Sequence, residues 1–240
     1  IFRKIFIENW RNTLVFSLGG EEVSYGQMWN YALSLTKEWR ARGARPGDKI
    51  AFILPNQVTV LALYLACFIE GYIAVPINPE TSQRDRERLL QFTRPTLVVS
   101  EISGRDVYAK EQDQESLIVP SDPCGTAAIM FSSGSTGEPK GICLQRSRIL
   151  GAARAFGQFA GMNESTRMYH ALPMFYNAGL LNAFLAPLMV GGAIIEGPQF
   201  SFRTMLNFWK RPIELKANYL CLTPTIAEAL CQLVPKNNNG

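Results

Sequence analysis

Residues that bind metals are scarce in this sequence. His170 is the only histidine, and the five cysteines stand singly, with no Cys-x-x-Cys pair. Structural zinc sites take four such ligands at close spacing, so the sequence offers no metal site. An odd number of isolated cysteines is typical of reduced thiols, which predicts a cytoplasmic protein. His170 stands in an apolar, strand-like run, where a hydrogen-bonded core histidine is a commoner outcome than a catalytic one.

A strong excess of charge is also missing. Lys and Arg total 24 against 20 Asp and Glu, which gives a net charge of +4. A nucleic-acid surface needs concentrated positive charge. The basic residues form only small clusters such as Arg84, Arg86 and Arg88, which are typical of a solvated helix. The sequence therefore predicts no nucleic-acid partner.

No apolar run is long and uninterrupted enough to predict a membrane span. Residues 178–195 carry no charge over 18 positions, but Asn182, Pro187 and a Gly-Gly pair divide them. Residues 58–77 are interrupted by Glu70 and by a following glycine and proline. Both stretches predict buried helices and strands, and no integral membrane segment. Charged residues among the first ten positions argue against a secretory leader.

Apolar residues are plentiful, at 47% of the chain, and they alternate between strand-like and helix-like segments. After short initial strands, helices are predicted at 24–42, 58–70, 84–92, 147–159, 177–190, 202–210 and 225–233, with strands at 49–54, 72–77, 96–100, 127–131, 141–144, 167–172, 193–196 and 218–222. Ser24 and Gln27 have the spacing of a capping box at the first of these helices. The continuous apolar strands favour an α/β fold of mainly parallel sheets layered with helices.

The most informative segment is Phe131–Gly141, which follows the apolar strand at 127–131. Its eleven residues include three glycines, four hydroxyl side chains and one lysine. Glycines let successive backbone N–H groups turn toward one anion, hydroxyls donate further hydrogen bonds, and Lys140 adds a positive charge. This composition predicts a loop that binds the polyphosphate tail of a nucleoside triphosphate.

Other kinds of glycine-rich loop fit this segment poorly. A Walker A loop has Gly-Lys followed by Ser or Thr, whereas Lys140 lies between Pro139 and Gly141. A dinucleotide-binding loop has a Gly-x-Gly-x-x-Gly triplet, which Gly134 and Gly137 do not complete. A flexible Gly/Ser linker remains an alternative, but a linker is not expected to follow directly on a buried strand.

Residues 132–141, Ser-Ser-Gly-Ser-Thr-Gly-Glu-Pro-Lys-Gly, resemble the signature of the AMP-forming adenylate enzymes. This superfamily includes acyl-CoA synthetases, the adenylation domains of peptide synthetases, and luciferases. The resemblance implies that ATP, with its Mg²⁺, is bound by Ser132, Ser133, Gly134, Ser135, Thr136, Gly137 and Lys140. Thr136 and Lys140 would be catalytic, because charge builds on the departing pyrophosphate and these groups would stabilise it.

A second segment resembles acyl-CoA ligases in particular. Residues 172–179, Leu-Pro-Met-Phe-Tyr-Asn-Ala-Gly, are similar to the stretch that such ligases write as Pro-Leu-Phe-His-x-x-Gly beside their acyl pocket. The resemblance places the carboxylic acid against Tyr176, Asn177 and Gly179. Tyr176 stands where many relatives carry histidine, and a phenol does not titrate near neutral pH, so histidine-based gating does not carry over.

The resemblance implies activation of a carboxylic acid to an acyl-adenylate with release of pyrophosphate, followed by transfer to a thiol. Amino-acid-activating relatives usually carry an acidic residue near the substrate, and none occurs between His170 and Leu185. This favours an aliphatic or aryl acid, as in fatty acid metabolism, with coenzyme A as acceptor. The alternatives are an adenylation domain that loads an amino or hydroxy acid onto an acyl carrier protein, a non-catalytic nucleotide-binding relative, and a scaffold without a ligand.

The resemblance also predicts the domain organisation. Residues 1–240 would form an incomplete N-terminal domain, because the family's adenine-binding motif, hinge and C-terminal catalytic lysine would follow Gly240. Within it, residues 43–160 would form one layer with the phosphate loop, and residues 1–42 plus 161–240 a second layer on the acyl-pocket side. This part alone is expected to be inactive.

Overall fold

The computed structural model describes residues 2–101, 125–132 and 140–232. Within them, two five-stranded sheets are layered with helices. Parallel pairing dominates both sheets, and the antiparallel pairs are β1 with β2 and β6 with β7. The predicted α/β fold with mainly parallel sheets is therefore confirmed.

The first sheet, sheet I, has the strand order β10-β8-β9-β1-β2. Its strands are β1 (Thr13–Phe16), β2 (Glu22–Ser24), β8 (Arg167–His170), β9 (Ala193–Glu196) and β10 (Tyr219–Leu220). The second sheet, sheet II, has the order β5-β3-β4-β6-β7. Its strands are β3 (Lys49–Phe52), β4 (Ile73–Pro76), β5 (Leu97–Val99), β6 (Thr126–Ser132) and β7 (Lys140–Gln145). The division of the chain into layers at residues 43 and 160 stays a prediction.

Helices connect most of these strands. The longer ones are α1 (Phe2–Glu8), α2 (Tyr25–Ala41), α3 (Val58–Glu70), α4 (Gln83–Thr93), α5 (Arg146–Phe159) and α10 (Pro224–Gln232). Shorter ones are α6 (Asn177–Leu180), α7 (Ala186–Met189), α8 (Phe202–Met205) and α9 (Lys210–Glu214), with a π-helical turn at Leu181–Leu185 between α6 and α7. The capping box predicted for α2 is present, since Ser24 and Gln27 bond each other's backbone.

Helix α3 shows how sequence determines position in this fold. Its residues from Val58 to Ile69 are all buried. A helix that is apolar on every side must be covered on every side, and α3 belongs to the core that joins both sheets. Gly71 ends it with a φ of 85°, a conformation that costs glycine little. Helix α3 therefore fixes the two sheets against each other.

Three elements differ from the sequence-based prediction. The chain begins with helix α1, where short strands alone were expected, and Phe6 of this helix is fully buried beneath Tyr25 and Trp29. The helix predicted over 202–210 ends at Met205 and, after turns, a separate helix runs over Lys210–Glu214. The helix predicted over 177–190 contains the π-helical turn. Within the described residues, no helix has the length and apolar character needed to cross a bilayer.

Candidate functional site

The segment predicted to bind phosphate lies in the sequence between β6 and β7, the last two strands on one side of sheet II. Strands β6 and β7 pair antiparallel, and their last paired residues are Ser132 and Lys140. Residues 133–139 lie outside the described residues, and so do the sites predicted at Ser133, Gly134, Ser135, Thr136 and Gly137. Ser132 is the last residue of β6. Lys140 is exposed at the start of β7, so the hairpin presents a cation where the loop ends.

Strand β6 reaches its last residue, Ser132, at the carboxyl edge of sheet II. Strand β6 is parallel to β4, and β4 is parallel to β3, so the chain leaves all three at the same edge. Ligands of open α/β sheets bind outside this edge, in crevices between the strand-to-helix connections. Since β6 lies two strands from β3, the base of the loop is about 10 Å along the sheet from the end of β3.

The predicted acid-binding segment is held by Asn56, which follows β3 at that same edge. The Asn56 side-chain nitrogen donates a hydrogen bond to the carbonyl oxygen of Leu172 at 2.7 Å. The Asn56 side-chain oxygen accepts one from the Met174 backbone nitrogen at 2.8 Å. Both halves of one amide are thus used to fix the turn around Pro173. The exits of β3 in sheet II and β8 in sheet I meet at this residue.

Tyr64 of helix α3 also bonds the turn around Pro173. Its hydroxyl donates to the carbonyl oxygen of Met174 at 2.7 Å, and the side chain is fully buried on helix α3. The ring packs edge-on against Phe52 with the ring centroids 4.9 Å apart. Burial raises the pKa of Tyr64 well above its usual value, so the phenol keeps its proton and remains a donor.

Gly179 is a position of close backbone approach. A Cβ at this residue would overlap the carbonyl oxygen of Pro173 and would lie 3.2 Å from the Met174 Cα. Only a residue without a side chain fits there, which explains the glycine by packing. Tyr176, just before helix α6, is half exposed, and Asn177 at its first position is exposed. Both side chains are therefore accessible to a ligand.

A cleft of about 500 Å³ lies beside the hairpin. The residues that line it come from β6, β7, α5 and the segment after Tyr176, and they are Thr126, Cys143, Leu144, Gln145, Arg148, Ile149, Ala152, Asn177 and Leu181. Among the described residues predicted to bind substrate, Asn177 lines this cleft, whereas Tyr176 and Gly179 do not. Cys143 follows Lys140 by three residues on an extended strand, about 10 Å. Asn177 therefore shares a cleft with the part of the hairpin around Cys143 and Gln145, whereas Ser132 and Lys140 stand at the other end of the two strands.

His170 ends β8 just before the clamped turn, and it is fully buried. Neither of its ring nitrogens has a hydrogen-bond partner among the described residues. Burial lowers its pKa to about 4, with the nearby backbone of Gly179 opposing the shift. A neutral core histidine matches the core role expected for it, and the backbone of Gly179 and of His170 itself lies near the ring without meeting the geometry of a hydrogen bond.

Glu196 is the cross-strand partner of His170 in β9 and is also buried. Its carboxylate accepts a hydrogen bond from the Leu18 backbone nitrogen at 2.7 Å. Burial raises the pKa of this carboxyl, while the backbone of Leu18 and Val58 and the Arg211 charge oppose the rise. Two buried ionisable residues therefore stand side by side at the ends of β8 and β9, and His170 precedes the turn around Pro173 in the chain.

Sequence reasoning missed the two residues that hold the acid-binding segment, Asn56 and Tyr64. A polar residue between a buried strand and an entirely apolar helix was a usable signal for Asn56, because such a side chain must find partners when it is covered. Nothing local distinguished Tyr64 from its apolar neighbours. Among the described residues, no group of three or more His, Cys, Asp or Glu side chains is placed to hold a metal ion.

Comparison with known families gives a single consistent match. The sequence profile described as AMP-binding enzyme matches residues 6–239, nearly the whole chain. An anthranilate–CoA ligase from Pseudomonas aeruginosa is 25% identical over 91% of this chain, which spans 48% of that protein. A nonribosomal peptide synthetase from Aspergillus fumigatus is 25% identical over 87% of this chain, which spans 10% of it. The chain thus covers about half or less of each of these two relatives.

A comparison with solved structures agrees on the fold. The crystal structure of ATP-bound MatB from Rhodopseudomonas palustris superimposes with a TM-score of 0.81 at 21% identity. The match covers 96% of this chain and 50% of MatB. At 21% identity, this comparison shows that the two proteins share a fold.

Proposed function

The chain belongs to the AMP-binding enzyme family, and from this premise we propose that its whole parent protein is an AMP-forming acid–thiol ligase. It activates an aliphatic or aryl carboxylic acid with ATP and passes the acyl group to coenzyme A. The observation that carries this proposal is that the two predicted binding segments start from one edge of sheet II. Strand β6, which precedes the phosphate loop, and strand β3, which precedes Asn56, both end at this edge, and Asn56 holds the turn before Tyr176.

The chemistry has two steps. An oxygen of the substrate carboxylate attacks the α-phosphorus of ATP, forms a new P–O bond, and breaks the bond to the β-phosphate bridge, so that pyrophosphate leaves. The thiol sulfur of coenzyme A then attacks the acyl carbon, loses its proton, and expels AMP. Most of the protein's contribution to the first step is stabilisation of the charge on the leaving group.

Lys140 suits this role by position and exposure. Lys140 is exposed, and its ammonium group makes no ion pair with the other described residues. Thr136 and Lys140 would stabilise the departing pyrophosphate, with Ser132, Ser133, Gly134, Ser135 and Gly137 completing the loop. Mg²⁺ would accompany the ATP phosphates.

The acid is proposed to bind along the segment that begins at Tyr176. The clamp by Asn56 and Tyr64 holds the backbone before this residue, so Tyr176 and Asn177 start from a fixed position. Holding a reactant in one orientation removes entropy from the barrier. The absence of an acidic residue between His170 and Leu185 in the sequence supports an acid without an ammonium group.

The experiment is a product assay on the whole parent protein. It is incubated with ATP, Mg²⁺, coenzyme A and a panel of acids, and the products are identified by mass spectrometry. We expect an acyl-CoA thioester, AMP and pyrophosphate. Lys140→Ala should lower kcat/KM by about 100-fold, the effect of removing one preorganised charge-stabilising group.

The control is Lys37→Ala, which removes an exposed lysine on helix α2 and should leave the kinetics unchanged. If thioesters form only on a carrier protein, the acceptor is that protein and not coenzyme A. A carrier protein is the second candidate acceptor because a peptide synthetase is among the relatives. No acyl-adenylate with any acid would contradict the ligase proposal. The isolated cysteines in the sequence support a cytoplasmic setting for this activity.

A further inference from the structure

Four large apolar side chains form an exposed row on the segment that contains helices α8 and α9. The exposed fractions are 85% for Phe202, 76% for Leu206, 46% for Trp209 and 71% for Ile213. Phe202 stands in α8, Leu206 and Trp209 in the turns that follow it, and Ile213 in α9, at spacings of four, three and four residues along the chain. We call these four residues the apolar stripe.

The stripe is not needed to attach this segment to the protein. Met205, Phe208 and Pro212 face the other way, and Phe208 packs against Tyr169 of sheet I with the ring centroids 5.3 Å apart. Arg211 adds hydrogen bonds to the carbonyl oxygens of Glu196, at 2.8 Å, and of Ser17. One apolar side already anchors the segment, and the stripe is a second apolar side that the described residues leave exposed.

Positive charge borders the stripe. Arg203 and Lys210 are exposed within the segment, and Lys216 is exposed just after it. Glu214 is the acidic residue among these positions. An apolar row of Phe, Leu, Trp and Ile next to Lys and Arg is the pattern of helical segments that lie on anionic lipid surfaces.

We propose that the apolar stripe is a docking surface for an anionic lipid membrane. The four side chains enter the boundary between headgroups and acyl chains, while Arg203, Lys210 and Lys216 contact lipid phosphates. The segment lies in the plane of the surface and does not cross it. A second copy of the chain fits less well, because a two-fold interface centred on the stripe would bring the same basic residues of both copies together.

The test is co-sedimentation of the full-length protein with two kinds of vesicle, one of phosphatidylcholine alone and one that also contains phosphatidylglycerol. We expect binding to the anionic vesicles that weakens as salt is added. Leu206→Ser with Ile213→Ser should weaken the apparent affinity by about 10-fold or more, since two apolar side chains no longer leave water. The matched control is Phe159→Ser, which removes an apolar side chain that is 91% exposed on helix α5.

Tryptophan fluorescence gives a second measurement. Trp10, Trp29 and Trp39 are buried, whereas Trp209 is half exposed and can enter lipid. Anionic vesicles should therefore shift the emission to shorter wavelength, and Trp209→Phe should remove that shift while binding persists. Circular dichroism confirms that each variant is folded.

Three results would overturn the proposal. The first is no binding to either vesicle, which is also the outcome if another part of the protein covers the stripe. The second is equal loss of binding in Phe159→Ser and in the double variant. The third is a dimer in solution that Leu206→Ser dissociates, which would assign the stripe to a second copy. None of these outcomes depends on the proposed ligase activity.

Discussion

The side chain of Asn56 bonds the backbone on both sides of Pro173, through the carbonyl oxygen of Leu172 and the backbone nitrogen of Met174. An asparagine amide offers a donor and an acceptor in one plane, so a single residue satisfies two backbone groups of an irregular turn. The turn lies between sheets I and II, where these backbone groups have no strand to pair with. Asn56 therefore replaces secondary structure at the junction of the two sheets.

Asn56→Ala should destabilise the chain by about 1–3 kcal/mol, because the two backbone groups lose their partners in a partly buried site. Chemical denaturation measures the change in the free energy of unfolding. In the parent enzyme, kcat/KM should also fall, since the segment before Tyr176 loses its support. The matched control is Asn207→Ala, which removes an exposed asparagine amide and should change the stability by less than about 0.5 kcal/mol. Equal stability of Asn56→Ala and wild type would contradict the claim that the two hydrogen bonds of Asn56 stabilise the turn.

Tyr64→Phe tests the second support of the same turn. The substitution removes one hydroxyl and leaves the Met174 carbonyl oxygen without its buried donor, which should cost about 1–2 kcal/mol. Tyr176→Phe removes the hydroxyl of a half-exposed tyrosine and should leave the stability unchanged. The two variants delete the same atom, so the difference between their unfolding midpoints isolates the buried hydrogen bond. A midpoint as low for Tyr176→Phe as for Tyr64→Phe would show that the hydrogen bond is not the cause.

Tyr176→Phe also tests the proposed acid site. If the Tyr176 hydroxyl binds the substrate, the variant should raise KM for the acid, with KM for ATP unchanged. A steady-state assay of the parent enzyme with each substrate varied in turn measures both constants. If KM is unchanged with every acid that reacts, the Tyr176 hydroxyl does not bind the substrate.

Local signals account for the parts of the fold that the sequence predicts well. Helix α3 has the predicted bounds of Val58–Glu70, because an unbroken apolar run ends at a glycine. Helix α2 begins at the predicted capping box. Strand β9 also has the predicted bounds of Ala193–Glu196. In each case the residues that determine the element lie inside it or next to it.

The parts that escaped prediction depend on contacts between distant residues. Asn56 bonds partners that follow it by 116 and 118 residues, so the local signal of a polar residue between apolar elements cannot identify those partners. Helix α1 has only seven residues, and its Phe6 packs on Tyr25 and Trp29 of α2. Gly179 was predicted as a substrate contact from the resemblance, and the structure gives it a packing role as well. The motifs predict a candidate site, which stays a prediction, whereas the contacts that support its described part depend on the tertiary fold.

Gly179→Ala should disturb the turn directly. A methyl group at this position would overlap the Pro173 carbonyl oxygen, so the turn or helix α6 must move. We expect a loss of about 1–3 kcal/mol, which thermal or chemical unfolding would detect. Gly151→Ala is a matched control, because a methyl group on this glycine of helix α5 meets nothing within 4 Å. Alanine should stabilise that helix by about 0.5–1 kcal/mol, so the two substitutions should have opposite signs. Destabilisation by Gly151→Ala, or none by Gly179→Ala, would contradict the packing argument.

His170 should make the stability of the chain depend on pH. Burial lowers its pKa to about 4 in the folded state, from 6.5 when it is free in solution. Between these values the unfolded chain binds the proton and the folded chain does not, so stability falls as the pH is lowered from 6.5 toward 4. For this shift the loss is about 3 kcal/mol at pH 4.

The substitution His170→Leu isolates this effect from other groups. Glu196 and Arg211 lie near His170, and the raised pKa of Glu196 acts in the opposite direction, since that carboxyl favours the folded state as the pH falls. Leucine has no proton to bind and leaves no buried nitrogen unpaired, so the variant should be at least as stable as wild type at pH 7. Denaturation curves at several pH values between 4 and 7 should then show a smaller loss of stability in the variant. Parallel pH profiles for the two proteins would mean that His170 is protonated or solvated in the folded chain.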